Sequence, residues 1–206
     1  MRIAADISTS EGAAKAIEEV ATFGEIDFLV NNVGIFEVKD FEDITDDDWE
    51  KYFQVNIMSC VLLCRHYLPK MLARNSGRII VLASESGFKP LGTMIHYSMT
   101  KGSLINLARG MAETTKGTKV TVNSVLPGLT ATEGLTNYFE SIAKKDNEPV
   151  DKVIRDYFQK EEPASLIQRL VTTKEVGPTT AFLHSPLAGA INGSSQRCEG
   201  GVYRST

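Results

Sequence analysis

The sequence predicts an α/β fold built on a parallel sheet, and three observations carry that reading. Helix-like and strand-like patterns alternate from one end to the other, without repeats, low-complexity segments or a linker-like composition shift. The strand candidates are continuous apolar runs, the pattern of strands covered on both faces. With 206 residues, 42% hydrophobic and 23% charged, the chain suits one domain with a sizeable core. We therefore read residues 1–206 as a single domain.

In chain order, "EGAAKAIEEVATF" (11–23) reads as a helix opened by Ser10, followed by "IDFLVNN" (26–32) as a buried strand. A long helix starts at Thr45, with Asp46, Asp47 and Asp48 favourably placed against the positive end of its dipole. "GRIIVLAS" (77–84) is the next strand. The helix carrying Tyr97 and Lys101 runs on through "LINLARGMAETTKG" and stops near Gly117, and "KVTVNSVLPG" (119–128) is a third buried strand ending in a Pro-Gly loop. Residues 133–172 are charged and helical in pattern, interrupted at Pro149 and Pro163; such a segment reads equally as a substrate-side helical lid over a cleft or as a surface excursion. A helix near 173–184 leads to a short final strand within "INGSSQRCEGG".

Composition narrows the function. A net charge of −4 supplies no basic footprint, so nucleic acid and anionic membrane are poor partners. "MRIAADISTS" lacks the apolar core of a signal peptide, and we expect a cytoplasmic protein. Cys60, Cys64 and Cys198 form no CxxC pair, and His66, His96 and His184 show no ligand spacing, so no metal site is expected.

The chemistry lies in "HYSMTKGSL". Tyr97 and Lys101, four apart, share a helical face, where an ammonium favours the phenolate over the phenol. Bringing a phenol of pKa about 10 into use near neutrality takes about 4 kcal/mol, within reach of a partly desolvated lysine helped by a cofactor's positive charge. The pair alone also fits an ordinary amphipathic helix, Ser84 alone a strand-end hydroxyl, Asn56 alone a helix-kink residue, and "PGLTAT" a plain turn.

Together, "NNVG" at 31–34, Asn56, Ser84, "YSMTK" at 97–101 and "PGLTAT" at 127–132 closely resemble the short-chain dehydrogenase/reductase family over nearly the whole chain. The resemblance implies a Rossmann-type doubly wound parallel sheet and hydride transfer between NAD or NADP and an alcohol or carbonyl substrate. It makes Tyr97 the general acid/base, Ser84 the holder of the substrate oxygen, Lys101 the group that lowers the Tyr97 pKa and binds the nicotinamide ribose, and Asn56 the anchor of a proton-relay water at a helix break. It places Asn31, Val33 and Gly34 against the cofactor, Val33 replacing the usual alanine. Pro127, Gly128, Thr130 and Thr132 would meet the nicotinamide carboxamide, and Asp6 the adenine.

The family pattern begins with a strand, a Gly-rich TGxxxGxG turn and a helix, and none of these is present. The expectation is an N-terminally truncated sheet that binds dinucleotide weakly, or alternatively a catalytically silent relative acting through subunit association. We further expect "RIAADI" to pair beside "IDFLVNN", covering an apolar edge that a missing first strand would leave bare. The helices at 46–73 and 97–116, apolar around much of their circumference, predict a homodimer or homotetramer.

Overall fold

The computed structural model describes residues 1–205. Its centre is a four-stranded parallel sheet in sequence order: β1 (Phe28–Asn31), β2 (Arg78–Leu82), β3 (Thr121–Pro127) and β4 (Ser195–Cys198). The registers Leu29↔Ile79, Ile79↔Val122 and Val125↔Gln196 align the carboxyl ends of all strands along one edge. Ligands of open α/β sheets bind at that edge.

The continuous apolar runs have a direct cause. In β2, Ile79 and Val81 point into one core with Cys60, Cys64, Leu104 and Ala108, while Ile80 and Leu82 point into a second with Val125 and Leu183. The first face is covered by α1 (Ser10–Ala21), α3 (Ser59–Ala73) and α4 (Ile95–Glu113), the second by α7 (Thr173–His184). Helices on both faces make the sheet doubly wound, as expected.

Helix starts follow local chemistry. The cap of α1 is Thr9, one residue before the expected Ser10, its hydroxyl accepting from Gly12 N–H at 3.0 Å. Thr45 and Asp48 form a reciprocal capping box at α2 (Asp46–Tyr52), with Lys39 bound to Asp48 at 2.6 Å. The long helix expected from Thr45 is divided: α2 and α3 are joined by a π-helical stretch, Phe53–Met58. The 133–172 segment holds two helices, α5 (Glu133–Asp146) and α6 (Val150–Lys160), packed through Phe139 and Tyr157 with ring centroids 5.3 Å apart.

One expectation fails. Residues 2–6 form no strand, and among the described residues β1 pairs only with β2. The cause is the turn that follows them. The Asp6 carboxylate takes both Ser8 N–H and Ser8 Oγ, Thr9 N–H closes on the Asp6 carbonyl at 3.1 Å, and Gln54 Nε2 donates to the Ser8 carbonyl. Gly12 packs so tightly on this turn that a Cβ there would lie 1.9 Å from the Asp6 carbonyl oxygen. The segment is thereby held beside α1 and the π-helical stretch, away from the outer edge of β1. On the α7 face of β1, Phe28 lies 5.0 Å from the His184 ring and Val30 is half exposed.

Central and outer strands of the sheet should therefore respond differently to substitution, even at positions paired on one face such as Ile80 and Val30. Ile80→Ala, at a fully buried position, should cost about 2–5 kcal/mol in a urea melt. Val30→Thr on the open strand should stay within about 0.5 kcal/mol; equal losses at the two positions would contradict this packing.

Candidate active site

The site begins with a defect in a helix. A π-helical turn leaves backbone groups without their usual partners, and Ser59 Oγ satisfies one by donating to the Val55 carbonyl at 2.6 Å. The turn also delivers Asn56, fully buried, toward the sheet edge. Asn56 Oδ1 accepts from Ile35 N–H at 2.8 Å, and its Nδ2 donates to the Ile35 carbonyl at 3.1 Å and to Thr100 Oγ1 at 3.0 Å. Thr100 Oγ1 in turn donates to the Tyr97 carbonyl at 2.7 Å. One amide thus ties the loop after β1 to the turn of α4 that carries Tyr97.

Ser84 follows β2 and caps a short 3-10 turn, Glu85–Gly87. The Tyr97 phenol hydrogen-bonds the Ser84 and Ser86 hydroxyls. Lys101 is buried, with Nζ donating to the Leu82 carbonyl at 3.0 Å and lying 5.6 Å from the centre of the Tyr97 ring. Gly87 packs against α4 so closely that a Cβ would stand 2.7 Å from Ile105 Cδ1 and 2.9 Å from Gly102 N, so only glycine lets the strand-end turn meet the helix here. Ser84, Tyr97 and Lys101 are brought together as their spacing predicts.

The electrostatics differ from the sequence expectation. Burial pushes Tyr97 up to about 12, against the Ser84 hydrogen bond, and Glu85 pushes it further up. Burial also brings Lys101 down to about 8. Burial thus outweighs the neighbouring Lys101, whose Nζ is held on the Leu82 carbonyl and is itself desolvated.

The remaining candidates surround this centre unevenly. A Cβ on Gly34 would stand 3.4 Å from Lys101 Nζ and 3.5 Å from Asn56 Oδ1, so the Gly34 backbone lies directly against the catalytic candidates. Asn31 donates to Cys64 Sγ at 3.3 Å while its buried Oδ1 has no partner, and Val33 is exposed. At the end of β3, Gly128 N–H binds the Cys198 carbonyl at 3.1 Å, Thr130 Oγ1 binds the Gly128 carbonyl at 2.8 Å, and Thr132 caps α5. Pro127 is the last residue of β3, its carbonyl end at the same edge. Asp6 is not in this group; it is exposed in the N-terminal turn, its carboxyl held below the usual range by the two Ser8 hydrogen bonds.

The α5–α6 pair leans on the site from the other side. Phe36 lies beside Gly134 in the first turn of α5 and meets the Tyr97 ring edge-on at 6.4 Å. Lys89 pairs with Glu162, just beyond α6. Sequence reading missed Glu85, Ser86 and Thr100. Of these Glu85 left a signal, a charged residue directly after a strand whose apolar run marks it as buried.

Comparison with known proteins agrees with this arrangement. The short chain dehydrogenase family matches residues 1–143. The chain is 60% identical over 202 residues to the uncharacterized oxidoreductase YvrD of Bacillus subtilis (strain 168), covering 98% of this chain and 77% of that one. It is 30% identical over 203 residues to the oxidoreductase UcpA of Escherichia coli (strain K12), covering 97% and 74%. The crystal structure of L-sorbose reductase from Gluconobacter frateurii, complexed with NADPH and L-sorbose, superposes with a TM-score of 0.91 at 27% identity, covering 99% of this chain and 77% of that chain. A parallel sheet wound on both faces, a serine at the end of β2 and a Tyr-Lys pair one turn apart on α4 are thus accounted for together: the chain belongs to the short-chain dehydrogenase family.

Proposed function

We propose that the chain is built to move hydride between NAD or NADP and a small alcohol or carbonyl compound, with Tyr97 exchanging the proton at the substrate oxygen. The observation that carries this is the half-buried Tyr97 phenol beside the Ser84 and Ser86 hydroxyls and Lys101. The L-sorbose reductase, crystallised with NADPH, supports a nicotinamide coenzyme.

The residues present fit the nicotinamide end of such a coenzyme. Asn31 Oδ1 is a buried acceptor without a partner, and Gly34 keeps open the space a Cβ would fill beside Lys101 and Asn56. In this reading Asn31, Val33, Gly34, Pro127, Gly128, Thr130 and Thr132 line the nicotinamide side, Lys101 reaches the ribose, and Asp6 serves the adenine end. A bound nicotinamide would supply or accept the hydride. Ser84 orients the substrate oxygen, Tyr97 donates or removes its proton, and Asn56 sets the position of Tyr97 through Thr100 and leaves one Oδ1 lone pair for a relay water. With Tyr97 at about 12, the ligand-free site holds a phenol at neutral pH, the form that carbonyl reduction consumes. The α5–α6 pair acts as the substrate-side lid, and Phe53 and Met99, exposed on the two apolar helical segments, belong to a subunit contact.

Tyr97→Phe should lower turnover about 100- to 10,000-fold while leaving NADPH affinity, read by fluorescence titration, within a few fold; turnover within tenfold of the parent removes Tyr97 from the role. Lys101→Met should weaken both binding and turnover. In an ultraviolet titration of the ligand-free chain, the phenolate signal that Tyr97→Phe removes should be absent below about pH 10, since burial raises the Tyr97 pKa. Static light scattering should give a dimer or tetramer at micromolar concentration, and a monomer would reject the subunit contact.

A further inference from the structure

Ser84 has one hydroxyl hydrogen and two lone pairs, and Ser86, Glu85 and the Tyr97 phenol compete for them. Ser84 Oγ accepts from Ser86 N–H at 3.3 Å and from Ser86 Oγ at 2.9 Å, and it donates to Glu85 Oε2 at 2.6 Å. A substrate carbonyl oxygen brings lone pairs only. With Glu85 ionised, the single proton of Ser84 is directed to a carboxylate and cannot reach that oxygen. A protonated Glu85 reverses the direction: its own O–H donates to Ser84 Oγ in place of the Ser86 hydroxyl, which rotates away, and the Ser84 proton is released toward the substrate.

We propose that Glu85 works as a neutral carboxylic acid, a positioning residue that donates to Ser84 Oγ and thereby turns the Ser84 hydroxyl toward the substrate oxygen. The proposal rests on the oxidoreductase reading of the site and adds a residue to it. No bond is made or broken at Glu85; its proton stays on the carboxyl while the hydrogen-bond direction is set.

The surroundings favour the neutral form. Glu85 is only 7% exposed, and no cation forms an ion pair with it among the described residues. It is faced by Tyr97 and Lys101 from α4 and by Tyr157 and Glu162 from α6 and the residues after it. Burial raises its pKa, opposed by hydrogen bonds from Ser84 and backbone amides and reinforced by the charge of Glu162. Lys101 favours the carboxylate, but its Nζ is held on the Leu82 carbonyl. Glu162 has its own partner in Lys89.

The sign of the linkage follows. With a native pKa above the unfolded one, the folded chain binds the extra proton between the two values, so stability falls as pH rises through that window. Thermal unfolding between pH 5 and pH 9 should show this fall in the parent and a flatter curve in Glu85→Gln, which cannot ionise. Infrared difference spectra of the parent at neutral pH should contain a protonated-carboxyl band that Glu85→Gln lacks. In NADPH-dependent reduction of L-sorbose, the alkaline decline of the parent should move upward by about one pH unit or more in Glu85→Gln, whose amide always has a hydrogen to donate. The absence of any protonated-carboxyl band in the parent overturns the proposal, even if Glu85→Gln does not fold. So does a Glu85→Gln chain whose thermal and kinetic pH profiles match those of the parent. A parent inactive on L-sorbose bears on the functional reading alone, because the infrared and thermal measurements need no turnover.

Discussion

The buried amide of Asn56 is the interaction on which the site depends. Leaving a buried amide unpaired costs about 1–3 kcal/mol for each lost partner, so the loop after β1 and the Thr100 turn of α4 are held wherever this side chain can satisfy itself. Asn56 reaches them from the π turn at Phe53–Met58, where Ser59 Oγ donates to the Val55 carbonyl. Such irregularities often mark functional positions. Here the local defect fixes the distance between two secondary-structure elements.

Burial then decides the electrostatics. Tyr97, Lys101 and Glu85 lie together under the sheet edge, and desolvation drives each toward its neutral form: phenol up, ammonium down, carboxyl up. A nearby ammonium would lower the phenol if solvent access and geometry allowed it, but Lys101 is pinned to the Leu82 carbonyl. The ligand-free state therefore favours the protonated phenol and carboxyl and a weakened ammonium. A positively charged coenzyme ring entering beside Gly34 would change that balance, which is why the resting values describe one protonation state of the site and the reaction needs another.

The N-terminal segment shows a local interaction overriding a sheet rule. An unpaired apolar strand is a liability, and a nearby segment of suitable pattern was available. The Asp6–Thr9 turn, closed by Ser8, Thr9 and Gln54, instead commits the chain to α1 before it can extend along β1. On the α7 face of β1, Phe28 is about half exposed, with the His184 ring as a partial cover.

By itself the sequence determined the alternation of helices and strands, the burial of β2 and β3 on both faces, and the family of the chain. Those properties reside in residue periodicity and in motif spacing, which are local. The positions of Ser84, Tyr97, Lys101 and Asn56 were legible for the same reason, and they do converge on one sheet edge. Tertiary structure alone decided that residues 2–6 do not pair with β1, that Lys101 Nζ is held on the Leu82 carbonyl, and that Glu85 is buried against Ser84 beside Tyr97 and Lys101. Each outcome depends on which groups, near or distant in sequence, the packed core brings within hydrogen-bond reach and how much water it leaves there.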